Sequence, residues 1–444
     1  MKNENPFHKL PAKWWFLLCL VIFILTQILI HPDILQVTYF YAEDGTIFFN
    51  GAKEGISAFI TPWGGYLATA SRLITAIAYQ VMLISDSILA AGETIEIFSI
   101  LTVALICTYF TSDAFNWLIK SRTKRLMLML LLIFLMLNFI NMFYNTVDLH
   151  WWFGIFAFFV SLNLIHNQEI KWSLIPFVIL AVLSSPSTFF IIFPCLYSII
   201  TYKTKSAKIK SSLILLALAI QAVFVFFVPS QLVSPDVAVS LDPIVSQPLT
   251  DSPNPLDWLD GTILSVIYAP LYLFSAAFKL SITGFSIVFA AICGLILWLI
   301  PLLIKRKDHQ FLKSYFLALI AVFTIYGMIT LKSDFINGVS SFYHSTTAGI
   351  ILILYGILIS NAKKLPYLIY ILTPPLLALH TIRVYPIELT PNYHLEIVDP
   401  YIDHTSSTTT RISITPNRGI YANMWYVDVP VNENYFKTYR CLEE

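Results

Sequence analysis

Apolar stretches of about 20 residues recur along the whole chain, the length a helix needs to cross the hydrocarbon core of a bilayer. Within lipid only helices and closed barrels satisfy every backbone polar group. Hydropathy places eleven candidate spans, at 14–30, 92–112, 126–143, 151–166, 172–185, 188–202, 211–228, 284–304, 311–331, 346–360 and 366–383. Hydrophobic residues make up 57% of the chain and charged residues 12%, which leaves a water-soluble fold without a polar coat. The expected fold is an all-α polytopic membrane protein.

Lys and Arg collect in cytoplasmic loops, so their placement orients the spans. With eleven spans, four clusters fall on one side: Lys120, Arg122, Lys124 and Arg125; Lys203, Lys205, Lys208 and Lys210; Lys305, Arg306, Lys307 and Lys313; Lys363 and Lys364. Lys171 and the N-terminal Lys2, Lys9 and Lys13 join them, so that side holds 18 of the 27 basic residues and is expected to be cytoplasmic. The first apolar run lacks a small-x-small cleavage site and is expected to stay as a span. Two further stretches, 66–85 with Arg72 and 263–280 with Lys279, would each flip later basic loops outward if they crossed alone. Both are expected as re-entrant or interfacial helices on the outer side.

The expected organisation is a transmembrane domain, 1–383, with outer loops at 31–91 and 229–283, followed by an exported segment, 384–444. Residues 229–262 are rich in Pro and Asp and read as a loop. Alternation in Thr410-Arg411-Ile412-Ser413-Ile414-Thr415, before Pro416-Asn417-Arg418-Gly419, predicts a small strand-containing cap in the tail. No internal repeat is visible. The five cysteines occur singly, so neither a zinc site nor a disulfide framework is implied, and no cofactor is expected.

The strongest local signal is Tyr41-Ala42-Glu43-Asp44-Gly45, just after the first span and before Thr61-Pro62-Trp63-Gly64-Gly65-Tyr66. Two adjacent carboxylates push one pKa upward, which suits a general base, and either Glu43 or Asp44 fits that role. A solvated acidic turn capping a helix near Thr46 fits the same residues. Arg72 lies in an apolar setting where a charge needs a partner or a watery cavity, and phosphate suits a guanidinium; an ion pair or snorkelling is the plainer alternative. Lys332, Arg383 and His344 are further candidates for the phosphate or donor. Asp148-Leu149-His150-Trp151-Trp152 and Phe342-Tyr343-His344 stand at outer ends of spans. There Asp148, His150, Trp151 and Tyr343, with Trp63 and Tyr66, are candidates to hold a sugar, though aromatics also form interface belts. Ser184-Ser185-Pro186-Ser187 reads as the tip of a broken hairpin.

A cytoplasmic N-terminus, one span, an outer loop opening on Glu43-Asp44-Gly45, many further spans and an exported tail resemble the GT-C superfamily of membrane glycosyltransferases. Within it, Tyr41-Ala42-Glu43-Asp44-Gly45, then Gly64-Gly65-Tyr66-Leu67, then Arg72-Leu73 resemble the serotype-converting O-antigen glucosyltransferases of phages and enteric bacteria. The motif-like part covers residues 39–73. The resemblance implies a GT-C-like fold in the bacterial inner membrane. It implies transfer of a sugar, usually glucose, from an undecaprenyl phosphate carrier to O-antigen repeats of lipopolysaccharide in the periplasm, with inversion. It assigns the base to Glu43 or Asp44, and implies a small flippase and a separate donor synthase as partners. Oligosaccharyltransferase members of the superfamily use a divalent metal, for which this chain shows no ligand set.

The chain lacks GxSxG, a Walker loop, GxGxxG in a βαβ setting and HExxH, so ATP-driven transport and metalloprotease chemistry lose their usual signatures. Nucleic acid is not an expected partner. O-antigen polymerases and ligases are the nearest rivals, but they rely on arginine-rich outer loops. A lipid-linked-saccharide transporter would suit a broken helix around Arg72, yet repeated halves are missing. A non-enzymatic scaffold leaves the outer polar residues unexplained.

Overall fold

The computed structural model describes residues 10–30, 44–63, 65–136, 145–228, 255–278, 287–305, 307–332, 344–360, 409–413 and 426–430. Among them are the helices α1 (Ala12–Ile30), α2 (Ile56–Ile60), α3 (Thr69–Ser85), α4 (Ile88–Thr111), α5 (Arg122–Met136), α6 (Leu149–Ile165), α7 (Ile175–Val182), α8 (Ile192–Thr201), α9 (Lys205–Phe227), α10 (Pro255–Phe278), α11 (Ile287–Lys305), α12 (His309–Lys332) and α13 (Ser345–Ser360). α1, α4, α9 and α12 are long and apolar enough to cross a membrane unaided. The span expected at 366–383 lies outside the described residues.

Helix α6 forms the centre, with every residue from Leu149 to Leu164 except His150 buried, and α13 is almost as enclosed. At the periphery the pattern splits by face. On α1, Trp15, Cys19, Phe23 and Gln27 point inward while Trp14, Leu17, Val21, Leu25 and Leu29 are exposed, a spacing of three to four residues that leaves one apolar stripe bare. α9 and α11 show similar bare stripes, including Leu216, Val223 and Phe227, and Phe289, Ile292 and Leu303. Exposed apolar surface of this extent belongs in lipid. The protein is a helical membrane protein.

Hydrogen bonds fix which helix ends lie together. At one end the Trp15 indole donates to the Thr111 carbonyl (3.0 Å), Arg122 to the Leu10 carbonyl (2.6 Å) and Lys124 to the Ser360 carbonyl (2.6 Å). Tyr202 donates to the Leu164 carbonyl (3.2 Å), Lys210 to Glu169 (2.6 Å), and His166 meets Ser314 (3.1 Å) at the same level. This is the basic end. There Arg122 hydrogen-bonds Asp113, and that contact holds the Asp113 carboxyl below its usual range. Because α4 ends beside the start of α1, its first residues lie at the opposite end. α3, joined to α4 by a two-residue turn, starts beside Thr146 at that end as well, so both its ends sit on one side of the bundle.

Residues 172–202, expected as two spans, form a broken hairpin. Its helices α7 and α8 have only 8 and 10 residues, extended by 3-10 turns at Trp172–Leu174 and Pro186–Ile191. The tip reaches the far end of α6, where the Ser185 hydroxyl donates to the His150 carbonyl (2.8 Å).

One expectation is corrected. The stretch 263–280 is expected as a re-entrant or interfacial helix on an outer loop; the interfacial alternative falls, because α10 has 24 residues and packs along α11, α12 and α13. The Trp298 indole donates to the Val266 carbonyl (2.8 Å), and Tyr315 donates to the Trp298 carbonyl (3.0 Å). Those residues lie within two turns of the basic end, a depth that an interfacial helix at the opposite end does not reach. The short link between Phe278 and Ile287 makes α10 antiparallel to α11.

Strands β1 (Thr409–Ser413) and β2 (Tyr426–Pro430) pair antiparallel, Thr409 opposite Pro430 and Ser413 opposite Tyr426. β2 lies against a wide π-helical turn, Asp44–Phe49.

Candidate functional site

The end opposite the basic loops gathers most of the described candidate residues. Asp44 opens the π-helical turn, a helix form that recurs at functional sites. Its carboxylate is buried and reaches 102 residues ahead, to the turn that leads into α6: Oδ1 accepts the Thr146 hydroxyl (2.5 Å) and the Val147 N–H (3.1 Å), while Oδ2 accepts the Thr146 N–H (3.0 Å). The acidic turn therefore caps a helix approach, though not that of its own helix. The Ser71 hydroxyl donates to the Thr146 carbonyl (2.8 Å), pinning α3 to the same point.

Beside Ser71, Arg72 is 4% exposed; its Nη2 donates to the Thr61 carbonyl (2.6 Å) and its guanidinium lies 5.4 Å from the Phe48 ring centroid. Burial pushes it down to about 10, with the nearby Glu54 charge opposing. From Phe48 a run of ring contacts extends to Trp63 (5.4 Å), Tyr66 (5.3 Å), His150 (6.0 Å) and Trp151 (4.1 Å). The Trp63 and Tyr66 backbones bond each other reciprocally across a tight turn in which Gly65 takes φ 80°, a conformation that favours glycine. Trp63, Asp148 and His150 remain partly exposed, so this cluster has a wet edge.

His150 points Nδ1 at the Val147 carbonyl, and since a carbonyl only accepts, Nδ1 carries the proton and Nε2 is the acceptor. Asp148 accepts from the Asn145 amide (2.8 Å), and its own N–H donates to Asn145 Oδ1 (2.7 Å), a local cap at the start of α6. The hairpin tip joins here: the Ser184 hydroxyl accepts the Ala70 N–H (2.8 Å), and Ser187 donates to the His150 carbonyl (3.2 Å).

His344 is a further residue expected at the phosphate. Its ring is buried between α12 and α13, with Nδ1 2.7 Å from the Tyr326 hydroxyl, and the neighbouring Thr346 donates to the Trp151 carbonyl (2.8 Å). It supports the floor of the cluster from inside the bundle. Glu43, Tyr343 and Arg383 lie outside the described residues, as does the side chain of Lys332.

Sequence reasoning missed Phe48, Thr61, Ser71 and Thr146, which hold the cluster together. Thr146 did carry a signal, since a Thr shortly before an apolar helix is an ordinary capping pattern. What the sequence hides is that the acceptor for that turn comes from Asp44. Among the described residues no group of three His, Cys, Asp or Glu side chains is arranged to hold a metal ion. Compared with known protein families, curated proteins and solved structures, the chain matches none.

Proposed function

We propose that this chain is a membrane glycosyltransferase that moves a sugar, glucose by its family resemblance, from a polyprenyl phosphate carrier to O-antigen saccharide on the outer face of a bacterial inner membrane. One observation carries the reading: Asp44, Arg72, Trp63, Tyr66 and His150 converge at the end of the bundle opposite its basic loops. In this reading the basic end is cytoplasmic. The partly exposed Trp63 supplies a face for a sugar ring.

Asp44 spends both carboxylate oxygens on backbone and hydroxyl donors, so it is a poor proton acceptor and positions the turn that carries it. Glu43 is then the base. An acceptor hydroxyl attacks the anomeric carbon as its proton passes to the Glu43 carboxylate. The new bond forms between that oxygen and the anomeric carbon, the bond from the anomeric carbon to the phosphate oxygen breaks, and the lipid monophosphate leaves with inversion.

The test is mass spectrometry of O-antigen from cells expressing wild type or Glu43→Gln. Wild type is expected to add one hexose per repeat, and the variant none, with unchanged amounts of protein in the membrane. A wild-type change in chain length alone, without added mass per repeat, sinks the reading in favour of a polymerase.

A further inference from the structure

Three cations in the described bundle are almost wholly buried: Arg72, Arg125 and Lys210. Two of them have carboxylates, Arg125 at 3.6 Å from Asp113 and Lys210 at 2.6 Å from Glu169. Arg72 has none within ion-pair distance among the described residues; its one hydrogen bond is to a carbonyl, and its Nε is buried without an acceptor. A guanidinium in that position has lost its water and, among the described residues, gained no carboxylate in contact. The exposed Glu54 acts on it only from a distance, so part of the burial penalty stands and a contacting anion would offset it. The planar fork of donors matches phosphate oxygens two at a time.

The surroundings indicate where such an anion comes from. Thr61, whose carbonyl holds Arg72, follows α2, and on α2 Ile56 is 84% and Ile60 62% exposed. Leu73, next to Arg72 itself, is 41% exposed. Bare apolar side chains thus flank the guanidinium on both of the elements that hold it. On a membrane protein such side chains sit in acyl chains, and the charge behind them lies at headgroup depth.

We propose that Arg72 binds the phosphate of a lipid monophosphate, entered from the apolar rim of Ile56, Ile60 and Leu73. The assignment rests on the transfer reading only for the choice of a polyprenyl chain; the lack of a contacting carboxylate among the described residues is independent of it.

The experiment uses the full chain purified in detergent, with binding read by native mass spectrometry and thermal melting. Its probes are undecaprenyl phosphate, undecaprenol and inorganic phosphate. Undecaprenyl phosphate is expected to bind and raise the melting temperature, and undecaprenol to do neither. Inorganic phosphate that displaced the lipid at equal concentration would make the site one for free phosphate and overturn the lipid assignment. Arg72→Met is expected to weaken lipid binding by on the order of thirtyfold or more. Without lipid it is expected to melt no lower than wild type, because it removes a buried charge with no carboxylate in contact; a role confined to holding Thr61 predicts a lower melting temperature. Should Arg72→Met fail to fold, Arg72→Lys decides: it keeps the charge but loses the fork, and binding as tight as wild type overturns the proposal. Failure of wild type to bind undecaprenyl phosphate also overturns it. Binding through Arg72 in a protein that adds no hexose in cells leaves this site standing and removes the transfer reading.

Discussion

At the scale of single residues, the two adjacent carboxylates separate by environment. Asp44 is buried and accepts three hydrogen bonds, so Asp44→Ala strands three donors at once and is expected to cost about 3 kcal/mol or more. Asp44→Asn keeps one acceptor but turns an N–H toward another donor, so its melting temperature should fall between alanine and wild type. Glu43→Gln, in contrast, should remove transfer and leave melting unchanged. Thermal melting of the three purified variants checks this, and an Asp44→Ala protein as stable as wild type would falsify the capping role. The sequence carried the acidic pair and the neighbouring aromatics, since both are local features. It could not divide the roles, because the partner that occupies Asp44 lies more than a hundred positions away and is brought near only by packing.

At the scale of elements, the fold depends on a few glycines that let helices touch. A Cβ on Gly294 would stand 2.1 Å from the Ile267 carbonyl oxygen, a backbone atom that moves only if α10 and α11 separate. On Gly356 the nearest atoms are the Leu128 methyls at 2.6 Å, the far end of a side chain that can turn away. Gly294→Ala is therefore expected to cost on the order of 3 kcal/mol and Gly356→Ala about 1 kcal/mol. Equal melting temperatures for the two variants would refute the close α10 contact. The depth of α10 was not legible in the sequence, because the expectation for 263–280 came from the sides on which the basic loops fall. The features that bury it, Gly294 and Trp298, belong to α11. The hairpin 172–202 was easier to read, since its tip is announced by Ser-Ser-Pro-Ser; the hydroxyls there cap the turn and hold α6.

For the whole molecule, the proposed chemistry depends on charge being sorted between the two ends. Lys124, Lys210 and Lys305 lie where α13 ends and α9 and α12 begin, and Asp44, Trp63 and His150 lie where α6 and α13 begin. Carrying several lysines and arginines across a bilayer is costly, so such sorting sets orientation during insertion. Native cysteines interfere little with a labelling test, since Cys19, Cys107 and Cys195 are buried, while Cys293, which is partly exposed, and Cys441 can be changed to Ser. Glu54 and Lys307, both exposed, stand at opposite ends. In intact spheroplasts a membrane-impermeant maleimide should label Glu54→Cys at once and Lys307→Cys only after permeabilisation. Labelling of Lys307→Cys from outside would put the acidic turn in the cytosol. A polyprenyl phosphate sugar displayed on the outer face could not reach it there, so that outcome would remove the donor from the proposal and the inverting transfer with it.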